Sequence, residues 1–392
     1  MATGDQAEPS PRADDDAVVD PSPSGVATTA ARALALGAAL TGSDALLGIE
    51  EDLTEVGIER LPPYWGGWEE REALFERSDA ILAAHDVLAD VRNREQPDGP
   101  IAIDDGAVPE REPRRAVWAQ VASQPTPENA VAFLRMLMTD NEPVASAAAA
   151  AALSHWRNDR RFRPPEALSR AKQLTRAHLE SPAGLAREIA SAALGDWGTA
   201  PADLSVEAPG DLDRGPEDSL STMVHGTHGY IGDWWYPGGD FHTHVKGHLR
   251  PDLYSGGQAY SWSGRYKGKD RAVAAKRLAR WAEGAQPGGL NAVFAHSYGG
   301  VIALHATTFG LRMEDAVLLS VPAESVPIEW RNVKRATSLR IHFDLVLLAA
   351  RRRQRFTENV EEYYLPKWFR EHADSHTPAV WREFKSAELL RL

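Results

Sequence analysis

The chain has 392 residues, 43% of them hydrophobic, and a formal net charge of −13. This length predicts about two domains, and the absence of cysteine excludes disulfides, thiolate metal sites and a cysteine nucleophile. The charge divides into −19 over residues 1–220 and +6 over residues 221–392. Opposite signs favour docking of the two halves, although acidic solubility alone would give the same pattern. The acidic half argues against nucleic acid as the main partner, because phosphate binding needs a concentrated basic surface.

The first 25 residues are rich in Asp, Pro and Ser and contain almost nothing apolar. This composition predicts a disordered tail over residues 1–25. The tail lacks the basic and apolar regions of a signal peptide, and no stretch of the chain reaches the ~18 charge-free apolar residues of a membrane span. We therefore expect a cytoplasmic protein without a membrane span.

Residues 26–200 have the pattern of an all-α domain. Prolines at 127, 143, 165 and 182 stand where helices are expected to begin, a position that proline favours. A repeat is indicated at a shift of 41 residues, where Val144, Ala148, Leu153 and Trp156 match Leu185, Ile189, Leu194 and Trp197. Paired helices at periods of about 40–47 residues are typical of HEAT-like arrays, which present a surface for a protein partner. An irregular helical bundle is the alternative, and residues 201–219 are expected to form a linker.

Residues 220–392 alternate strand-like and helix-like segments, which predicts an α/β domain with a parallel sheet covered on both faces. Helices are expected at Asp270–Gly284 and Tyr298–Phe309. The expected strands are 221–225, Gln258–Trp262, Leu290–Ala295, Ala316–Val321 and Ser338–Phe343.

The most informative motif is the run NAVFAHSYGG at residues 291–300. An apolar strand ends at Ala295, Ser297 follows two residues later, and glycines precede an apolar helix. This strand–turn–helix context is the one that a nucleophile elbow needs, because the sharp turn admits only small neighbours two positions before and after the serine. Ala295 and Gly299 meet that demand, and Ser297 is the candidate nucleophile.

Three other segments agree with this interpretation. A glycine-rich loop, HGTHG at 225–229, follows the first strand, so the backbone N–H groups of Thr227 and Tyr298 could stabilise a developing oxyanion. Asp344 follows a later strand, 47 residues after Ser297, where open parallel sheets place functional groups. His376 lies near the end of the chain. Glu324 is a rival acid and His372 a rival base.

With these motifs, residues 219–392 resemble an α/β-hydrolase of the lipase/esterase type, in which nucleophile, acid and histidine follow in this chain order. The resemblance implies that Ser297 is the nucleophile, that His376 is the general base and acid, and that Asp344 orients and stabilises the imidazolium. The short stretch between Ser297 and Asp344 leaves no room for a cap domain, so a capless form is expected.

The loop at residues 233–248 is aromatic and histidine-rich. Beside Ser297 it would line an apolar acyl pocket, and we expect His225, Gly226, Trp234 and Trp235 to contribute to that pocket. Five histidines at 225, 228, 242, 244 and 248 also suggest zinc. No regular ligand spacing supports zinc, so no metal and no cofactor are expected.

The sequence therefore predicts a serine hydrolase that cleaves a carboxylic ester or thioester of a small molecule through an acyl-enzyme on Ser297. Two alternatives stay open. One is an acyltransferase that uses the same three residues, and the other is a helical interaction protein whose hydrolase-like domain is inactive. The sequence does not indicate the natural substrate, the acyl chain length, the oligomeric state or what the helical domain binds.

Overall fold

The computed structural model describes residues 23–58, 111–155, 166–195, 219–227, 229, 232–365 and 371–392. The described residues up to 195 form helices and are called the helical half; residues from 219 onward contain the sheet and are called the sheet half. The tail predicted over residues 1–25 lies outside the described residues except for 23–25, which begin the first helix. Almost all of the predicted linker also lies outside them.

The described helical half contains seven α-helices. They are α1 (Pro23–Leu40), α2 (Glu50–Glu55), α3 (Arg111–Ser123), α4 (Pro127–Met138), α5 (Pro143–Ser154), α6 (Glu166–Ala177) and α7 (Gly184–Leu194). Two of them begin at a predicted proline with a side-chain cap. Thr126 accepts a hydrogen bond from the Asn129 amide ahead of α4, and Glu142 accepts from two amides of α5. Asp52, on α2, is almost fully buried.

Helix α5 is the centre of the helical core. Its residues from Val144 to Leu153 are buried, and it packs against α1, α4, α6 and α7. The alanine run gives these helices room to approach closely, and Gly37 of α1 lies directly against Ala152. The HEAT-like repeat stays a prediction, because Trp156 and Trp197 lie outside the described residues.

The described sheet half contains one sheet of five parallel strands in the order β1 to β5. They are β1 (Thr222–Val224), β2 (Leu290–His296), β3 (Met313–Leu319), β4 (Val333–Arg340) and β5 (Glu361–Tyr364). The predicted α/β class is therefore confirmed at this level. Each strand pairs with the next one along the chain, so the carboxyl ends of all five strands meet at one edge.

The prediction of a strand at Gln258–Trp262 was wrong. The segment belongs to no strand; its last three residues, Tyr260 to Trp262, are buried, and two of their side chains bond to backbone oxygens. The Tyr260 hydroxyl donates to Ala274 O at 2.8 Å, and Trp262 Nε1 donates to His225 O at 2.7 Å. Apolar alternation in this segment therefore reflects burial in a loop rather than a sheet ladder.

Helices and loops cover both faces of the sheet. The described residues of this half contain six α-helices: α8 (Asp240–His248), α9 (Gly268–Ala285), α10 (Tyr298–Ala306), α11 (Leu345–Ala349), α12 (Pro378–Glu383) and α13 (Ser386–Leu389). Along β2, Val293 and Ala295 pack with α9 and α10, whereas Ala292 and Phe294 pack with α8 and α12. This alternation is the period-two pattern of a strand that is buried on both faces.

The hydrophobic core of the helical half extends into the sheet half. Helix α11 is the next helix after β4 along the chain, yet three of its residues are buried among the helices of the helical half: Leu345, Leu348 and Ala349. Polar contacts accompany this packing: His155 Nε2 lies 2.8 Å from Ala349 O, and His342 Nδ1 lies 2.9 Å from Asp52 Oδ1. In the part of the chain that the structure describes, no helix is long and apolar enough to cross a membrane.

We predict that Gly37→Ala lowers the free energy of unfolding by about 1–2 kcal/mol, measured by urea denaturation. A Cβ at residue 37 would overlap Ala152, and such overpacking outweighs the higher helix propensity of alanine. Gly184→Ala is the matched control, because a Cβ there meets open space. If the two variants unfold at the same urea concentration, close packing of α1 on α5 is not a constraint on the fold.

Candidate active site

Ser297 lies on the sharp turn between β2 and α10. Its backbone has φ 51° and ψ −131°, a region that non-glycine residues rarely adopt and that costs about 1–3 kcal/mol. The turn is held by two backbone hydrogen bonds: Ser297 N donates to Leu319 O and Gly300 N donates to Ser297 O, both at 2.9 Å. The predicted elbow geometry is therefore present, with the serine side chain at the carboxyl edge of the sheet.

Small residues let the loop after β1 press on this turn. A Cβ at Gly299 would overlap the carbonyl oxygens of Val224 and His225, and a Cβ at Gly226 would lie 2.8 Å from the Ser297 Cβ. Thr227 follows in the same loop and lines one cavity with Ser297 and Tyr298. Because Tyr298 is the first residue of α10, its N–H has no acceptor within the helix.

Asp344 follows β4 and is 1% exposed. One carboxylate oxygen, Oδ1, caps α11 by accepting hydrogen bonds from Val346 N and Leu347 N at 3.0 and 3.1 Å. The backbone of Asp344 is fixed by Gln354, whose amide group accepts from Asp344 N and donates to Asp344 O. The second oxygen, Oδ2, accepts a hydrogen bond of 2.6 Å from His372 Nδ1.

The partner of Asp344 is therefore His372 and not His376, which corrects the assignment expected from the sequence. His372 is the residue named there as the rival base. Both histidines lie in one short 3₁₀ segment, His372–His376. With three residues per turn, side chains four positions apart point about 120° apart, whereas in an α-helix they would share a face.

His376 forms part of the cavity wall. Its ring stacks on Trp234 with 3.9 Å between centroids and meets the ring of His296 edge-on at 4.4 Å. Burial, and then the charge of His372, lower the pKa of His376 to about 3, so this imidazole is neutral at ordinary pH. An imidazole with so low a pKa, stacked on tryptophan and bound to no carboxylate of the described residues, is a weak base.

His372 has the electrostatics of a proton acceptor. Burial opposes its protonation, but the charge of Asp344, the hydrogen bond to Asp344 and the charge of Glu188 together raise the pKa of His372 above its usual value. With Nδ1 bound to Asp344, Nε2 is the nitrogen left for chemistry. Neither Nε2 nor the Ser297 hydroxyl has a hydrogen-bond partner among the described residues, and both residues line the same cavity.

Glu324, the rival acid, has a different role. Its carboxylate binds Arg271 Nη2 at 2.8 and 2.9 Å and Arg352 Nη1 at 3.0 Å. Arg352 Nε in turn donates to the Tyr298 hydroxyl at 2.8 Å. Glu324 thus anchors an arginine network behind Tyr298, and the imidazole-binding carboxylate is Asp344.

The cavity beside Ser297 has a volume of about 340 Å³ and is built from both halves of the chain. Its wall includes apolar residues of the sheet half, among them Trp234, Val346 and Leu347. Helix α7 of the helical half adds Arg187, Glu188 and Ala192, which no sequence pattern placed near Ser297. Burial raises the pKa of Glu188, and its Oε2 is buried without a hydrogen-bond partner in the described structure.

The four residues expected to line the pocket divide into two groups. Trp234 lines the cavity; Gly226 does not, but its missing side chain lets the loop lie against Ser297. His225 and Trp235 instead pack against each other, 4.5 Å between ring centroids, and support the loop. The His225 ring is fully buried, lies 3.2 Å from the Ser261 hydroxyl, and has its pKa lowered to about 4 by burial.

The aromatic loop expected over residues 233–248 forms helix α8 from Asp240 onward. Of its histidines, His242 is bound through Nε2 to Tyr254 O at 2.8 Å, and His244 and His248 pack ring against ring. Within the described ranges, no group of three or more His, Asp or Glu side chains is arranged to hold a metal ion. His228 lies outside those ranges.

These groups are of the kinds that nucleophilic catalysis requires. A serine hydroxyl becomes a good nucleophile when a nearby base takes its proton, and the base works best when a third group orients it. Here the hydroxyl, an imidazole bound to a buried carboxylate and main-chain amides border one cavity. Comparison of the chain with models of protein families, with curated proteins and with solved structures found no match.

We predict that Asp344→Asn lowers the pKa of His372 below its wild-type value, measured by NMR titration of the imidazole C–H signals. The substitution removes the negative charge that offsets burial of the ring. Glu324→Gln is the control and leaves this titration unchanged, because Glu324 binds arginines. An unchanged His372 pKa in Asp344→Asn contradicts the coupling between these two side chains.

Proposed function

We propose that this protein is a serine hydrolase that cleaves a carboxylic ester or thioester through an acyl-enzyme on Ser297. The observation that carries the proposal is the buried 2.6 Å hydrogen bond between Asp344 and His372, beside a serine on a strained turn. The expected membership in the α/β-hydrolases is part of this proposal, with His372 in the role first given to His376. The parallel sheet and the order Ser297, Asp344, His372 along the chain support it.

In the proposed reaction, Ser297 Oγ attacks the carbonyl carbon of the substrate while His372 Nε2 takes the hydroxyl proton. The N–H groups of Thr227 and Tyr298 stabilise the negative charge that develops on the carbonyl oxygen. His372 then gives its proton to the leaving alcohol or thiol. Water repeats the sequence on the acyl-enzyme, and Asp344 stabilises the imidazolium in both steps without being protonated itself.

The lining of the cavity supports an acyl group that is largely apolar. Trp234, Val346 and Leu347 contribute apolar surface, and 340 Å³ lies at the lower end of the usual range for small-molecule sites. The same volume argues for small or medium acyl groups rather than long lipid chains confined to this cavity. Stacking of His376 on Trp234 fixes one wall of the space.

We predict that His372→Gln lowers kcat for nitrophenyl esters by about 10²- to 10⁴-fold, the usual contribution of a general base. His376→Gln lowers kcat by less than about tenfold, because this ring shapes the cavity and transfers no proton in the mechanism. Ser297→Ala abolishes covalent labelling by a fluorophosphonate probe. Circular dichroism spectra check that each variant is folded.

The opposite order of the two histidine variants would return the base to His376 while leaving the serine assignment intact. Labelling of Ser297→Ala at the wild-type rate would show that Ser297 is not the nucleophile. These outcomes separate an error in the base from an error in the whole proposal.

We predict that kcat/KM for ester hydrolysis rises with pH through an apparent pKa above 6.5, the ordinary histidine value. Only neutral His372 can accept the serine proton, and its pKa is raised above 6.5 by Asp344 and Glu188 despite burial. Activity is therefore lost as pH falls through the raised value. A pH–rate profile measured on a neutral ester checks this, and an acid limb below 6.5 contradicts it.

A further inference from the structure

A second cavity of about 650 Å³ lies where the two halves meet. Its charged lining residues are Lys172 of α6 and the consecutive Arg351 and Arg352 after α11, and no carboxylate is among the described residues that line it. In a chain of net charge −13, a cavity lined by cations alone among its charged groups is a local exception. Such a concave basic site attracts anions.

Arg351 stands at a backbone position where an arginine is unfavourable. It directly follows α11 with φ 57°, the left-handed conformation in which helices usually place glycine. A side chain there costs about 1–2 kcal/mol relative to the right-handed region. Arg351 lines the cavity, and its Nη2 is buried with no hydrogen-bond partner in the described structure. Buried donors of this kind normally have an acceptor.

Carboxylates act on two of the lining arginines from outside the described cavity wall. Burial, followed by the charge of Arg351, lowers the pKa of His155 to about 3, so His155 is neutral. Burial lowers the pKa of Arg351 to about 10, the charge of Asp44 acts against this shift, and Arg351 therefore stays charged near neutral pH. Arg352 is paired with Glu324, and that carboxylate also binds Arg271.

This second cavity adjoins the one at Ser297. Ala192, Tyr266 and Ala350 line both. A ligand that passes these shared residues would reach from the hydroxyl of Ser297 toward Arg351.

We propose that the second cavity binds the anionic end, a carboxylate or phosphate group, of the ester or thioester whose carbonyl reacts at Ser297. The inference rests on the proposed function for the identity of the reaction, and it adds the substrate class: acyl compounds with a terminal oxyanion. Arginine suits this role, because its planar guanidinium binds carboxylate and phosphate oxygens in pairs.

The test compares 4-nitrophenyl half-esters of dicarboxylic acids with 4-nitrophenyl alkanoates of equal length, over chains of four to twelve carbons. The wild-type protein is expected to prefer the charged ester, at its best chain length, by about tenfold or more in kcat/KM. Arg351→Gln and Lys172→Gln each lower this preference, Arg351→Gln to near unity, and Arg351→Lys restores part of it. Arg280→Gln removes an exposed arginine of α9 and is the matched control.

A preference that is absent in the wild type, unchanged by Arg351→Gln, or reduced equally by Arg280→Gln overturns the inference.

Calorimetric titration with inorganic phosphate and with glutarate provides a readout that needs no turnover and separates the two kinds of anion. Binding heat that disappears in Arg351→Gln supports the site, and no heat with either anion overturns it. If Ser297 is not labelled by a fluorophosphonate, the proposed function fails by itself, and calorimetry alone decides the anion site.

Discussion

The hydrogen bond between Asp344 and His372 is the interaction on which the rest of the site depends. A buried carboxylate is unfavourable unless its oxygens are paired, and both oxygens of Asp344 are used: one begins α11 and the other holds the imidazole. Gln354 fixes the backbone of the same residue from the opposite side. One aspartate thereby joins the end of β4, the start of α11 and an imidazole that lines the cavity at Ser297.

The helical half is part of this construction. Helix α11, which Asp344 caps, packs its apolar side chains into the core built around α5. Helix α7 completes the wall of the cavity at Ser297, and α6 contributes Lys172 to the second cavity beside it. The opposite net charges of the two halves are consistent with this close association. In the proposed function, the helical half would help to select the substrate and would hold α11, the helix that Asp344 caps. Binding of a further protein by the helical half stays a prediction.

Local features of the site could be predicted from the sequence, and distant ones could not. Ser297 was identifiable because a nucleophile elbow is specified by adjacent small residues and a strand-to-helix switch. Asp344 followed from its place after a strand. The choice between His372 and His376 depends on a 3₁₀ turn that no pattern indicates, and Glu188 comes from a helix more than 100 residues earlier. Strand β5 was missed because its residues, Glu361 to Tyr364, are partly exposed and lack apolar alternation.

The central claim is that Ser297 and His372 act as nucleophile and base in one cavity. The most direct measurement is a crystal structure of the protein after reaction with a fluorophosphonate. The account predicts a phosphonyl group bonded to Ser297 Oγ, its oxygen within hydrogen-bond distance of the Thr227 and Tyr298 amides, and His372 Nε2 facing the adduct. An adduct on another residue, or His376 in place of His372 beside the phosphorus, would contradict it.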